Sequence, residues 1–138
     1  MNATLTLHND VSEVSMLGEW IEQQCESLDL PTSEVFQINL ALEEAVVNVM
    51  DYAYPGQEGM PVRLNMQGDS HELIFRLEDE GIPFDPTTEA KEPDITLDAD
   101  VRPIGGLGVF LVKQIMASVT YERRDDKNIL TMIYRPLI

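Results

Sequence analysis

Three small groups of residues in this chain have the types and spacing to do chemistry. Glu44 and Asn48 lie four positions apart in a helical pattern, so they share one face, a turn apart. An amide oxygen is a hard ligand able to hold Mg2+. A neighbouring carboxylate can orient or deprotonate an attacking hydroxyl or water. The same pair serves equally as a solvated polar patch on a surface helix. Asp79 and Gly81 come next, within Leu77-Glu78-Asp79-Glu80-Gly81-Ile82-Pro83-Phe84-Asp85-Pro86. An ionised carboxylate only accepts hydrogen bonds, so Asp79 suits an amino group such as the adenine N6. Gly81 leaves room for a ring, and Phe84 can pack on that ring or lie in the core. Asp, Gly and Pro are also ordinary turn residues. The third group is Gly105-Gly106-Leu107-Gly108, running into the apolar pattern Val109-Phe110-Leu111-Val112. A helix N-terminus has unpaired N–H groups and partial positive charge, both suited to phosphate. Glycine lets that backbone approach closely, because no Cβ intervenes. Arg102, just upstream, is either a bidentate donor to phosphate oxygens or the partner of Asp98 or Asp100.

These groups need elements to hold them. Ala3–Leu7 alternates and predicts a short strand. Asn9 or Asp10 caps a helix beginning near Val11, with Val14, Leu17, Trp20 or Ile21, and Leu28 at helical spacing. Leu30-Pro31 breaks it. Thr32 or Ser33 caps a second helix from about Glu34 to Tyr52, whose apolar arc is Val35, Ile38, Leu42, Ala45, Val46 and Val49. Glu43 and Asp51 fall on its surface. Pro61–Met66 and Glu72–Glu78 alternate around the turn signal Gly68-Asp69-Ser70 and form a hairpin. The pattern dissolves from Gly81 to Ile104, a length of loop that is usually functional. A third helix follows from Gly106 to about Ser118, with Lys113 on its surface. Val119–Arg123 and Ile129–Tyr134 make a second hairpin, turning at Asp125-Asp126-Lys127-Asn128. The order β-α-α-β-β-loop-α-β-β predicts an α+β fold. It is a two-layer sandwich, with helices covering one face of a mixed, mostly antiparallel sheet. Neither G-x-x-x-x-G-K-[ST] nor a G-x-G-x-x-G after a first strand occurs, so the two common phosphate loops are absent.

Composition narrows the function classes. The 138 residues suit one domain over 1–138, and 43% hydrophobic content supports a core. The net charge of −16, from 9 basic and 25 acidic residues, would repel a nucleic-acid backbone. Nucleotide binding stays open where a divalent cation screens the phosphates, and so does a basic partner. One cysteine, Cys25, excludes an internal disulfide, and no apolar run could span a bilayer. With no signal-like start, the expected compartment is the cytoplasm. His8 and His71 have no company that would build a metal cluster.

The three groups, in this order, resemble the GHKL ATP-binding superfamily. This is the Bergerat-fold group of gyrase, Hsp90, histidine kinases and MutL. Within it the chain looks like the anti-sigma factor serine/threonine kinase branch. Ala41-Leu42-Glu43-Glu44-Ala45-Val46-Val47-Asn48, followed by Ala53-Tyr54, is similar to that branch's N box. Asp79 to Pro86 is similar to the G1 box, and Gly105-Gly106-Leu107-Gly108 into Leu111-Val112 to the G2 box. The resemblance implies Glu44 as catalytic base, Asn48 as Mg2+ ligand and Asp79 on the adenine amino group, with Gly81 and Pro83 beside it. It implies Gly105, Gly106, Leu107 and Gly108 near the phosphates of ATP or ADP, and an ATP lid over about 86–103. It also implies partners: a sigma factor, a STAS-fold antagonist phosphorylated on serine, and a second copy in a homodimer. Tyr52 stands where many relatives have His, Pro83 replaces a G1 glycine, and only Arg102 is available as a lid arginine. A histidine kinase is not expected, because no dimerising phospho-acceptor helix precedes the domain. Two other functions fit the same residues: a nucleotide-sensing module without catalysis, and an acidic interaction protein without nucleotide.

Overall fold

A computed structural model of the protein describes residues 1–89 and 106–137. Strand β1 (Asn2–His8) leads through a 3-10 turn into helix α1 (Val14–Glu26), and α2 (Thr32–Tyr52) follows. Strands β2 (Pro61–Gly68) and β3 (Leu73–Asp79) form the first hairpin. Two further helices, α3 (Pro86–Glu89) and α4 (Gly106–Ile115), precede the hairpin of β4 (Ser118–Arg124) and β5 (Lys127–Tyr134). The strands lie in the order β1-β2-β3-β5-β4. Their pairings are all antiparallel, where the sequence allowed a mixed sheet.

Period-2 patterning decides which face is covered. Val62, Leu64 and Met66 of β2, Leu73, Phe75 and Leu77 of β3, and Leu130 and Met132 of β5 are buried on one side. They meet Leu17 and Ile21 of α1, Ile38, Leu42, Ala45, Val46 and Val49 of α2, and Val112 of α4. The predicted arc on α2 is therefore the core face, with Val35 half-buried at its edge. Thr4, Arg63, Asn65, Gln67, Arg76 and Glu78 lie on the opposite, polar face of the sheet.

Local chemistry sets the boundaries. Asp10 caps the 3-10 turn, accepting from the Ser12 N–H at 3.0 Å. Helix α2 starts two residues earlier than expected, with Pro31 at its N-cap position and no side-chain cap, so Thr32 and Ser33 are first-turn residues instead. The last hairpin turns on Asp125-Asp126 alone, with φ of 54° and 61°. Such a two-residue turn requires left-handed backbone at both positions, which Asp tolerates. Lys127 and Asn128 consequently belong to β5, and the register sets Asn128 against Asp79.

The charged residue buried deepest in α2 had no signal in the sequence. Glu34 is buried and accepts from the Tyr134 hydroxyl at 2.7 Å and the Leu137 N–H at 2.8 Å, joining the start of α2 to the end of β5. Replacing Glu34 with Ala strands the buried Tyr134 hydroxyl and is expected to cost about 1–3 kcal/mol in urea unfolding. Glu34→Gln, which still offers an acceptor, should cost less. Equal stability of the Ala variant and the native protein would contradict this assignment.

Candidate functional site

Helix α2 presents Glu44 and Asn48 as the spacing requires. Glu44 is half-buried beside the core arc, and Asn48, one turn on, is buried. Glu43 and Asp51 are exposed, as expected of surface residues. The Nδ2 of Asn48 is buried and has no hydrogen-bond partner among the described residues. Such groups are rare in folded proteins, because an unmade bond in a dry place costs free energy. Asn48 lines a narrow cleft with Ala45, Pro86, Thr87, Val112 and Leu130. That cleft joins α2 to the start of α3, to α4 and to β5.

Asp79 ends β3 and is 2% exposed. Its Oδ1 accepts from the Gly81 N–H at 2.9 Å and from the Asn128 amide at 2.8 Å. Burial pushes its carboxyl above the usual aspartate range, while the Asn128 amide, the Gly81 N–H and the Arg123 guanidinium pull it back. Arg123 also donates to the Gly81 carbonyl at 2.8 Å. No hydrogen bond reaches Asp79 Oδ2 among the described residues.

The loop after Asp79 is pressed against the end of α2. The Ile82 N–H donates to the Ala53 carbonyl at 2.8 Å, and the Glu80 N–H to the Tyr54 hydroxyl at 2.6 Å. Phe84 stacks on Tyr52, with ring centroids 5.4 Å apart, so it serves neither the central core nor a free platform. Pro83 is exposed. Thus the helix that carries Glu44 and Asn48 and the strand end that carries Asp79 share one seam. Helix α4 begins at Gly106, so Gly106, Leu107 and Gly108 form its first turn, as the glycine pattern predicted. Lys113 is on the surface side and donates to the Thr87 carbonyl at 3.0 Å, tying α4 to α3. Arg102, Gly105 and most of the expected lid lie outside the described residues.

Sequence reasoning missed Asn128 and Arg123 as members of this site. Asn128 reads as a turn residue, and only the β3–β5 register brings it to Asp79. A larger groove between α1 and α2 is ringed by Glu19, Glu22, Glu26 and Asp29. Its thiol, Cys25, is pushed up to about 11 by burial and is no nucleophile at neutral pH. Among the described residues no cluster of three His, Cys, Asp or Glu could hold a metal.

A model of the histidine kinase-like ATPase domain matches residues 7–134. The chain belongs to that family. It is similar over 97 residues to the serine/threonine-protein kinase BtrW of Bordetella bronchiseptica, at 29% identity, covering 70% of this chain and 68% of that protein. It is similar over 85 residues to the serine-protein kinase RsbW of Listeria monocytogenes, at 32% identity. That match covers 59% of this chain and about half, 54%, of the Listeria protein. Among solved structures, one holding the RsbU and RsbW domains of a Mycobacterium tuberculosis protein superposes with a TM-score of 0.69 at 10% identity. It covers 99% of this chain and 32% of that one. The Acinetobacter baumannii histidine kinase AdeS gives a TM-score of 0.54 at 15% identity, over 97% of this chain and 68% of that one. At those identities the structures bear on the fold alone. The α+β sandwich is therefore that of a histidine kinase-like ATPase domain.

The seam between loop and helix rests on Gly81. A Cβ there would lie 2.1 Å from the Ala53 oxygen and 2.7 Å from the Ala53 Cβ. Both neighbours are bound in the end of α2, so the loop would have to lift. Gly81→Ala should lower stability by about 1–3 kcal/mol, the usual penalty of overpacking. Chemical unfolding followed by circular dichroism measures it, and a native midpoint would show that the contact can relax.

Proposed function

We propose that this domain is an ATP-dependent protein serine kinase of a partner-switching pathway. It binds a sigma factor or similar regulator and phosphorylates a serine on a STAS-type antagonist. One observation carries the reading. The unpartnered Asn48 amide, the half-buried Glu44 and the open Oδ2 of Asp79 occur together in a histidine kinase-like ATPase domain whose curated relatives are named serine kinases.

Each residue then has a task. Asp79 accepts from the adenine amino group through Oδ2, and Gly81 with Pro83 leaves the ring room to approach. The first turn of α4, with Gly106, Leu107 and Gly108, faces phosphate with unpaired N–H groups, and Gly105 and Arg102 add donors from upstream. Asn48 would hold Mg2+ by its amide oxygen. A single protein ligand is enough for an ion that keeps waters and takes the rest of its shell from phosphates. Bound there, the ion would neutralise charge between the phosphates. Glu44 accepts the proton of the substrate serine hydroxyl as the oxygen attacks the γ-phosphorus, the bond from that phosphorus to the β–γ bridging oxygen breaks, and ADP leaves. Phosphoryl transfer asks mostly for positioning and electrostatics, so this sparse set suffices. No helix among the described residues is long and apolar enough to cross a membrane, which is compatible with work in the cytoplasm. The charge of −16 points to protein partners rather than nucleic acid.

Incubation with ATP, Mg2+ and a verified STAS antagonist should yield phosphoserine on the antagonist. Glu44→Ala should cut that rate by about 100- to 10,000-fold, the usual contribution of a general base, while ATP affinity stays close to native. Phosphorylation undiminished by Glu44→Ala would remove Glu44 from catalysis. A native protein that binds ATP yet never modifies its partner would instead be a nucleotide-sensing module.

Asp79 supplies a second check, through pH. A carboxylate raised by burial is more easily protonated when folded, so its ionisation disfavours the folded state. That penalty is absent below the unfolded aspartate value and is complete once pH exceeds the raised folded one. Asp79→Asn should therefore gain stability relative to native as pH rises through this window, while ADP affinity falls by about 10-fold or more. Thermal melts from pH 3 to 7 with calorimetric titration of ADP at pH 7 would read both (conditions spanning roughly the carboxylate range). Native ADP affinity in the variant would exclude Asp79 from the base site.

A further inference from the structure

Asn128 occupies an unusual position for an amide. It is buried, it faces Asp79 across the β3–β5 pairing, and all four of its hydrogen-bonding capacities are used. Its Nδ2 donates to Asp79 Oδ1 at 2.8 Å and to the Ile82 carbonyl at 2.7 Å. Its Oδ1 accepts from the Phe84 N–H at 3.2 Å and from the Tyr121 hydroxyl. The orientation is fixed by chemistry. Turning the amide over would aim an oxygen at a carboxylate and a carbonyl, neither of which can donate. One side chain thus ties the end of β3, the loop that follows it, and β4 through Tyr121.

The consequence falls on Asp79. Its Oδ1 already receives Asn128 and the Gly81 N–H, so that oxygen is saturated and the carboxylate cannot rotate without breaking both bonds. Oδ2 is left as the acceptor, in a direction set by Asn128. We propose that Asn128 is the positioning residue that gives this site its selectivity for a purine bearing a 6-amino group. A 6-oxo purine would bring an acceptor against Oδ2, and a locked carboxylate cannot turn away from it. The inference rests on the adenine reading of Asp79 and goes beyond it, because it assigns the discrimination to a residue that need not touch the nucleotide.

The test compares ADP with inosine diphosphate, which differ at the purine 6-position, by calorimetric titration in Mg2+. The native protein should favour ADP by about 10-fold or more, the worth of a hydrogen bond to a charged group. Asn128→Leu, close in size but without polar atoms, should lose most of that preference. ADP should weaken about 10-fold while inosine diphosphate changes by less than about threefold. Asn128→Ser, which lets water into the space, should show the same collapse of the ratio if the Leu variant folds poorly by circular dichroism. Tyr121→Phe removes a bond to Asn128 but neither bond to Asp79, so its preference should stay native. Native selectivity in a folded Asn128 variant overturns the proposal and leaves the adenine reading intact. So does an equal loss of selectivity in Tyr121→Phe, which would assign the effect to general rigidity. A native protein that binds both nucleotides equally well removes the adenine reading, and the role of Asn128 with it.

Discussion

A carboxylate at 2% exposure must be compensated or it will not stay charged. Much of this architecture follows from how Asp79 meets that demand. Its partners come from three places: the Gly81 N–H in the adjoining loop, the Asn128 amide on the neighbouring strand, and the Arg123 guanidinium acting at longer range. The compensation is incomplete, since burial still outweighs the favourable contacts. Its Oδ2 takes no hydrogen bond among the described residues and is ready for a donor from outside. The orphaned Asn48 Nδ2 is the converse, a buried donor that lacks an acceptor. Stability is conceded at both places, as is common where a site has to receive something.

The site is also a joint between two layers. The sheet supplies Asp79 and Asn128, and α2 supplies Glu44 and Asn48. Contact between the layers at this end runs through the close approach of Gly81 to Ala53 and through the Tyr54 hydroxyl, which bridges the Glu80 N–H and the Pro61 carbonyl. The absence of a side chain at Gly81 thus places a strand end against a helix end. It also leaves the Ala53 carbonyl free to accept from Ile82 rather than remain an unpaired helix terminus.

Much of this was legible in the sequence, and the reason is local periodicity. The arc of Ile38, Leu42, Ala45, Val46 and Val49 names its own core face, and with it the edge where Glu44 and Asn48 must lie. The hairpins announce themselves by alternation. What escaped was long-range. Glu34 is one more acidic residue in an acidic chain until Tyr134, 100 positions away, meets it. Asn128 reads as part of a turn because four consecutive residues there have turn chemistry. That the turn needs only Asp125 and Asp126 is decided by backbone geometry, and the cross-strand partner by sheet order. Neither leaves a trace in composition or spacing.

Helix α2 is fastened at both extremities: by Glu34 to Tyr134 and Leu137, and at Ala53 to Ile82. A rod held in this way can neither roll nor slide without tearing hydrogen bonds at one end. Glu44 is carried near its middle, about 15 Å from the Glu34 clamp at 1.5 Å per residue. On the reading proposed above, the base is a stationary post, and a client hydroxyl has to be delivered to it. The accuracy of that delivery then belongs to the docking of the client protein. Two clients with the same serine motif would be told apart by how they seat, rather than by any adjustment of the helix.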